Sequence, residues 1–296
     1  MDKITVSVCM ITYGHEQYIK EAIESVLMQS ADFEYELIIA DDCSPDATEK
    51  VVKLLIETHE NGHRIKYIKH QSNLGMMPNF EFALKQCKGK YIALCDGDDY
   101  WTDPLKLQKQ VDFLEANPDF SICFHKVKIL RGEEFFDDKS IEARYDRIKE
   151  HPATMIDLLE QGNFIHTPSV MFRNYNINFP FEFERSTVGD YFLHIINSQH
   201  GPIKRLDEIM AVYREGVGIY STLSSTQMQE KILIYQTCLL SYLSEDEHKE
   251  IIYEKVIKNI EALKKNNLKL DYLSSVLSLK KITKLFILKI KTILRK

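Results

Sequence analysis

Glycine and proline are scarce in this 296-residue chain, at 11 and 8 residues, which excludes collagen-like and low-complexity architectures. No apolar run reaches the roughly 18 to 20 residues that span a bilayer. Nor does a basic stretch followed by an apolar one and a small-residue cleavage site follow Met1, so a cytoplasmic protein is expected. The cysteines at 9, 43, 87, 95, 123 and 238 form no CxxC pair; they read as small core residues of a reducing compartment, with no zinc site. Positive charge is in deficit, and a net charge of −6 disfavours a nucleic-acid binder. Neither GxxxxGK[ST] nor GxGxxG occurs, so a phosphate-bearing ligand would need a metal in place of a glycine-rich cradle. What is present is ordinary for a folded core: 44% hydrophobic and 28% charged residues.

The charge is uneven. Residues 279–296 carry seven bases and no acid, which leaves −13 on the rest of the chain. Within this tail Ile282, Leu285, Phe286, Lys289 and Ile293 fall near helical spacing. A basic amphipathic helix of this kind is expected to lie on an anionic membrane surface, the alternative being docking on an acidic protein face.

Along the chain, short apolar runs alternate with helical periodicity. Ile4 to Tyr13, Glu36 to Ala40, Arg64 to His70 and Lys90 to Cys95 read as strands, the first too continuous to be half-exposed. Between them Glu16 to Ser30, a segment led by Asp46, and Met76 to Cys87 read as helices, followed by Pro104 to Leu114. This predicts an α/β fold with a mainly parallel sheet covered on both faces and a ligand site beyond the strand carboxyl ends. Residues 131–153, with seven acids and five bases, read as a solvated loop or lid. Thr167 to Arg173 and Ile203 to Arg214 read as later strands with Tyr191 to Gln199 helical between them, and the chain is helical after Ser224.

The acids cluster at the strand exits. Asp96-Gly97-Asp98-Asp99 follows the run KYIALC and places three carboxylates within four residues. Their repulsion asks for a cation, and Gly97 allows a sharp turn that presents Asp96 and Asp98 to a hard divalent ion. The competing reading is an acidic turn before a helix; an EF-hand is excluded, since Trp101 and Leu107 stand at its sixth and twelfth positions. Asp41-Asp42 ends the run ELIIA in the same setting, suited either to accepting hydrogen bonds from a base or ribose or to an Asx-turn.

The stretches VCMITYGHEQYIKEAIESVLMQ, IIADDCSPDAT, NLGMMPNF, YIALCDGDDYW and VGDYFLHI, in that order, resemble a family 2 glycosyltransferase with the GT-A fold over roughly residues 4 to 220. The resemblance implies a Rossmann-like GT-A domain at 1–222, with a nucleotide-binding half at 1–100 and an acceptor half at 101–222, then a helical region at 223–296. It further implies that Thr12, Tyr13 and Asp41 line the nucleotide, commonly uracil, with Asp42 beside them and Asn73 closing over it. Asp96 and Asp98 match the DxD motif, Asp98 the direct ligand of Mn²⁺ or Mg²⁺, with Trp101 following. Asp190, in Val188-Gly189-Asp190-Tyr191, matches the catalytic base and implies an inverting hexosyl transfer, although Asp also favours a helix N-cap. The chemistry agrees: a cation stabilises a leaving diphosphate and a carboxylate takes the proton of an attacking hydroxyl. The expected partners are a nucleotide-sugar, most naturally a UDP-sugar, and a glycan or lipid-linked acceptor in surface polysaccharide assembly.

Two departures stand out. Many relatives carry YRxH, whose His helps to hold the metal or diphosphate, where this chain reads Tyr213-Arg214-Glu215-Gly216; Arg214 or Glu215 is the expected substitute. Gly14 stands where relatives often have Asn. His15, His125 and His166 lack metal-ligand spacing and read as polar loop or core residues, with an acceptor contact open to His166. The alternatives are a silent nucleotide-sugar-binding scaffold and a sugar-phosphate nucleotidyltransferase; against the latter, the first strand leads into ITYGHEQY rather than a glycine-rich basic loop.

Overall fold

The computed structural model describes residues 4–218 and 223–265. The chain separates into two compact units, Met1–Asn178 with His194–Ser221, and Phe179–Leu193 with Thr222–Lys296. The basic segment 279–296 lies outside the described residues.

The first unit opens as a β-α-β march: β1 (Val6–Thr12), α1 (Ile19–Leu27), β2 (Tyr35–Asp41), α2 (Thr48–Thr58), β3 (Ile65–Lys69), α3 (Met76–Gln86) and β4 (Tyr91–Leu94). The β-branched runs of β1 and β2 are buried along nearly their whole length, as befits central parallel strands. Each Val or Ile so buried contributes about 1.5–3 kcal/mol. Two residues, Tyr100–Trp101, form β5, followed by α4 (Lys106–Ala116), β6 (Ile122–Arg131), β7 (Glu134–Phe136), α5 (Lys139–Tyr145), α6 (Met155–Gln161) and β8 (Met171–Arg173). The second unit supplies α7 (Phe181–Arg185) and the start of α8 (Gly189–Ser198), and β9 (Ile203–Arg214) returns to the sheet.

The strand order is β3-β2-β1-β4-β8-β6-β9-β5, with β7 paired to β6. Strands β3, β2, β1 and β4 are mutually parallel, and β6 is parallel to β9; β8, β5 and β7 pair antiparallel. The sheet is therefore mixed and mostly parallel, as the alternating pattern predicts.

The remaining helices, α9 (Ser225–Tyr242) and α10 (Asp246–Lys265), belong to the second unit. Ser224 opens α9 with a capping box, its hydroxyl accepting from the Gln227 amide while the Gln227 side chain accepts from the Ser224 amide. Phe183 and Phe192 meet edge to face at 5.7 Å, and Phe192 packs on Tyr242 at 5.3 Å, giving this unit its own aromatic core. Among the described residues no helix is long and apolar enough to cross a membrane.

A charged residue sits in the core of the first unit. Lys106 is fully buried, its Nζ 2.7 Å from Gln110 Oε1 and 3.9 Å from the Trp101 ring centroid. Burial pushes the ammonium down to about 7. The unfolded chain keeps this proton to about pH 10, so stability rises with pH above the folded value of Lys106. Between pH 7 and about 8.5 the gain is about 1–2 kcal/mol; higher still, the buried thiols of Cys95 and Cys123, held above the usual range, oppose it. Denaturant unfolding followed by the fluorescence of Trp101, the chain's one tryptophan, is expected to show this rise. It should be absent in Lys106→Met.

Candidate active site

The adjacent parallel strands β2, β1 and β4 place their carboxyl ends side by side, with Thr12 in register with Asp41 and Cys9 in register with Leu94. Both aspartate clusters thus leave one edge of the sheet. The loops beyond β1 and β2 are stitched together. Ser44 Oγ accepts from the Gly14 amide and Thr48 Oγ1 from the His15 amide, each at 3.0 Å. Asp46 accepts from the Glu16 amide at 3.0 Å, while the Glu16 carboxylate accepts from Ala47 at 2.8 Å. Gly14 has φ +70°, the left-handed region that Gly and Asn enter most readily, which accounts for the exchange of Asn for Gly at this position.

Asp41 and Asp42 are both buried and both occupied. Asp41 Oδ1 accepts from the Ser44 amide at 2.7 Å and Oδ2 from the Tyr67 hydroxyl at 2.6 Å, so the turn reading of this motif is realised. Burial and the Asp41 bond push the Tyr67 phenol far up, which keeps it a donor. Asp42 receives the amides of Leu74 and Gly75 at 2.6 and 2.9 Å, tying the loop that bears Asn73 to the end of β2. Asn73 is exposed and its Oδ1 accepts from Gly75 at 3.0 Å. Each carboxylate oxygen keeps a lone pair for a further donor. The Tyr13 side of the site is open, with that residue 46% exposed.

The Asp96–Asp99 turn begins directly beyond β4. The Gly97 amide donates to Ile11 O at 3.0 Å, drawing the turn against β1. A Cβ on Gly97 would lie 2.8 Å from Thr12 Oγ1 and 2.9 Å from His15 Nδ1, so only glycine permits this approach. Thr12 Oγ1 and His15 Nδ1 are buried without a hydrogen-bond partner, and His15 Nε2 stands 4.0 Å from Asp98 Oδ2. Asp99 is buried and accepts from the Arg214 amide at 2.8 Å; burial, then the charges of Asp98 and Asp96, hold its carboxyl well above the usual range.

Trp101 and Arg214 support this turn from below. Trp101 is 1% exposed; its Nε1 donates to Pro168 O at 2.9 Å and its amide to Ser25 Oγ at 3.0 Å, which anchors it in the core beneath the turn. Arg214 donates to Asp98 O at 2.5 Å, pairs with Glu21, and lies over the rings of Tyr100 and Tyr18 at 4.7 and 5.1 Å. Its guanidinium grips the backbone of the acidic turn. Glu215 pairs with Arg131 at 2.5 Å. Asp190 lies in the first turn of α8, in the second unit, where Oδ1 accepts from the Tyr191 amide at 2.7 Å.

The donor set fits a divalent cation. Asp96 and Asp98 offer hard oxygen ligands at a glycine turn, and the unpartnered His15 and Thr12 atoms lie beside them. Among the described residues no three His, Cys, Asp or Glu side chains form a metal-binding group. One or two carboxylates completed by ligand phosphates and water is the usual arrangement for Mg²⁺.

The acidic motifs thus gather at the carboxyl edge of the parallel strands of a mixed α/β sheet. The sequence model described as Glycosyl transferase family 2 matches residues 7–178, more than half of the chain, and the chain belongs to that family. Rv1520 of Mycobacterium tuberculosis is 36% identical over 208 residues, 70% of this chain and 58% of that protein; the chain spans little more than half the length of this relative. Among solved structures, S. aureus TarS 1-349 in complex with UDP-GlcNAc has a TM-score of 0.64 at 21% identity, covering 93% of this chain and 79% of that one. The mannosyltransferase PcManGT from Pyrobaculum calidifontis, in complex with GDP-Man and Mn²⁺, has a TM-score of 0.60 at 18% identity, covering 88% and 72%. The fold is GT-A-like.

Proposed function

We propose that the chain is a metal-dependent, inverting glycosyltransferase that moves a hexose from a UDP-sugar to a hydroxyl of a surface-glycan acceptor. The observation that carries this reading is the meeting of Thr12, Asp41-Asp42 and Asp96-Asp98 along one edge of the parallel strands β2, β1 and β4. Support comes from family membership and from the nucleotide-sugars bound by TarS and PcManGT.

In this reading Tyr13, Asp41 and Asn73 receive the nucleoside, the carboxylates accepting from base and ribose donors. Asp98, with Asp96, would hold Mn²⁺ or Mg²⁺, which when bound neutralises charge developing on the departing diphosphate. Arg214 fixes the acidic turn through Asp98 O, and buried Asp99 ties it to the end of β9. Asp190 takes the proton of the attacking hydroxyl as the new bond forms opposite the breaking one, which inverts the anomeric centre. Its motif VGDYFLHI and its place at a helix start support that role. The basic segment 279–296 would bring the protein to an anionic membrane face bearing a lipid-linked acceptor.

Nucleotide release tests this reading. Incubated with UDP-glucose, UDP-galactose, UDP-GlcNAc, GDP-mannose and dTDP-rhamnose in turn, the protein with Mn²⁺ is expected to liberate UDP slowly from at least one UDP-sugar, and EDTA to stop it. Release from none, with nucleotide still bound, would favour a silent scaffold.

A further inference from the structure

The protein leaves the Asp98 carboxylate unmatched. Asp98 is 9% exposed, and among the described residues neither of its side-chain oxygens accepts a hydrogen bond. The Arg214 guanidinium goes to Asp98 O and to Glu21, not to this carboxylate. Asp99 Oδ1 is taken by the Arg214 amide, and Glu215 by Arg131. A carboxylate so enclosed, with 12% of its side chain still open, calls for a counter-ion from outside the chain.

His15 faces that carboxylate. Its Nε2 stands 4.0 Å from Asp98 Oδ2, makes no hydrogen bond and, unlike Nδ1, is not buried. The separation is too long for a hydrogen bond or a closed ion pair, either of which would bring the atoms to about 2.7–3.2 Å. It does suit two ligands of one ion. Ligand bonds of about 2.0–2.2 Å set such atoms roughly 3 Å apart at a right angle and roughly 4.2 Å apart across the ion.

The ring is held in this place from outside the acidic turn. The His15 amide donates to Thr48 Oγ1 at 3.0 Å, and its carbonyl accepts from the Tyr18 and Ile19 amides, each at 2.9 Å, which seats the residue at the start of α1. The Tyr18 ring meets the imidazole edge to face at 6.5 Å. On the Gly97 side, Nδ1 lies 2.9 Å from the position a Cβ would take, so the ring rests on the glycine of the turn. These contacts leave Nε2 as the nitrogen open to the site. A neutral imidazole that ligates through Nε2 carries its hydrogen on Nδ1. Thr12 Oγ1, also buried without a partner, lies 2.8 Å from the same Gly97 position and is the acceptor available to that hydrogen.

We propose that His15 Nε2 is a nitrogen ligand of the cation that Asp98 holds, with diphosphate oxygens and water completing the shell. The proposal rests on the reading of Asp98 as a cation ligand and adds a consequence for metal choice. Mg²⁺ is bound through oxygen, so an imidazole in the shell favours a transition ion such as Mn²⁺ over it. His15 is then the residue that sets the preference.

The test uses the full chain carrying ¹⁵N-labelled histidine, loaded with Mn²⁺ and UDP and read by pulsed EPR. The expected result is a hyperfine coupling from a histidine nitrogen, distinguished by its label from the nitrogens of uracil, and absent from His15→Phe and His15→Gln. Both variants keep the backbone bonds of residue 15, and an unfolding midpoint matched to wild type qualifies either for the comparison. With UDP present, His15→Phe is expected to lower Mn²⁺ affinity at least ~10-fold and Mg²⁺ affinity by less than ~3-fold. Bound Mn²⁺ without a ¹⁵N coupling, a coupling retained in both variants, or equal losses of Mn²⁺ and Mg²⁺ affinity would overturn the proposal and leave Asp98 as the cation ligand. No Mn²⁺ bound to wild type in the presence of UDP would overturn the reading of Asp98 and this proposal together.

Discussion

Asp98→Asn is expected to lower transfer by about 10³-fold or more, equivalent to about 4 kcal/mol of lost transition-state stabilisation. The substitution keeps the shape of the side chain and removes only the charge that would bind the cation. Stability is expected to stay level or rise, because after burial the charge of Asp98 contributes most to holding Asp99 above its usual range. The same change relieves crowding among Asp96, Asp98 and Asp99. A loss of activity with an unchanged or higher unfolding midpoint therefore separates a catalytic defect from a folding one. Turnover within a few-fold of wild type would remove Asp98 from the mechanism.

Asp190→Asn is expected to behave differently. It should cut kcat by about 10²–10⁴-fold, the range of a general base, while UDP affinity stays within about two-fold of wild type. Asn retains an oxygen for the Tyr191 amide, so the start of α8 is preserved. Single-turnover measurements at saturating donor read the chemical step directly. Normal turnover would return Asp190 to a plain helix-start role.

The parallel half of the sheet was legible because its strands are buried on both faces and must be continuously apolar, as in VSVCMIT and YELIIAD. The acids are legible as soon as those runs end. Elements that depend on distant pairing were not. Tyr100–Trp101 becomes a strand only because β9 lies beside it, with Trp101 opposite Ala211. Pro168 turns the first part of Thr167 to Arg173 into a 3-10 turn, so β8 keeps only three residues. The charged stretch 131–153, read as a loop or lid, contains β7 and then α5, whose Asp138 N-cap accepts the amides of Ser140 and Ile141.

The site was legible in composition more than in role. Asp41 pairs with Tyr67 because β2 and β3 are neighbours in parallel register, which brings the Tyr67 hydroxyl to the end of β2. Periodicity places charges on a helix's outer face, yet Lys106 is buried against Trp101, and both belong to the core under the acidic turn. His15, read as a loop residue, stands beside Asp98, an approach set by Gly97 and by the Thr48 bond to the His15 amide. The adjacency of Thr12-Tyr13-Gly14-His15 to the first strand's end was the available signal.

Calorimetric titration with UDP, with and without Mn²⁺, in wild type and Asp98→Asn, tests the central assignment most directly. Binding by wild type that strengthens at least ~10-fold with Mn²⁺, and a metal effect absent from the Asp98 variant, is the predicted result. UDP binding that is indifferent to Mn²⁺ in both proteins, or no binding in either, would contradict it.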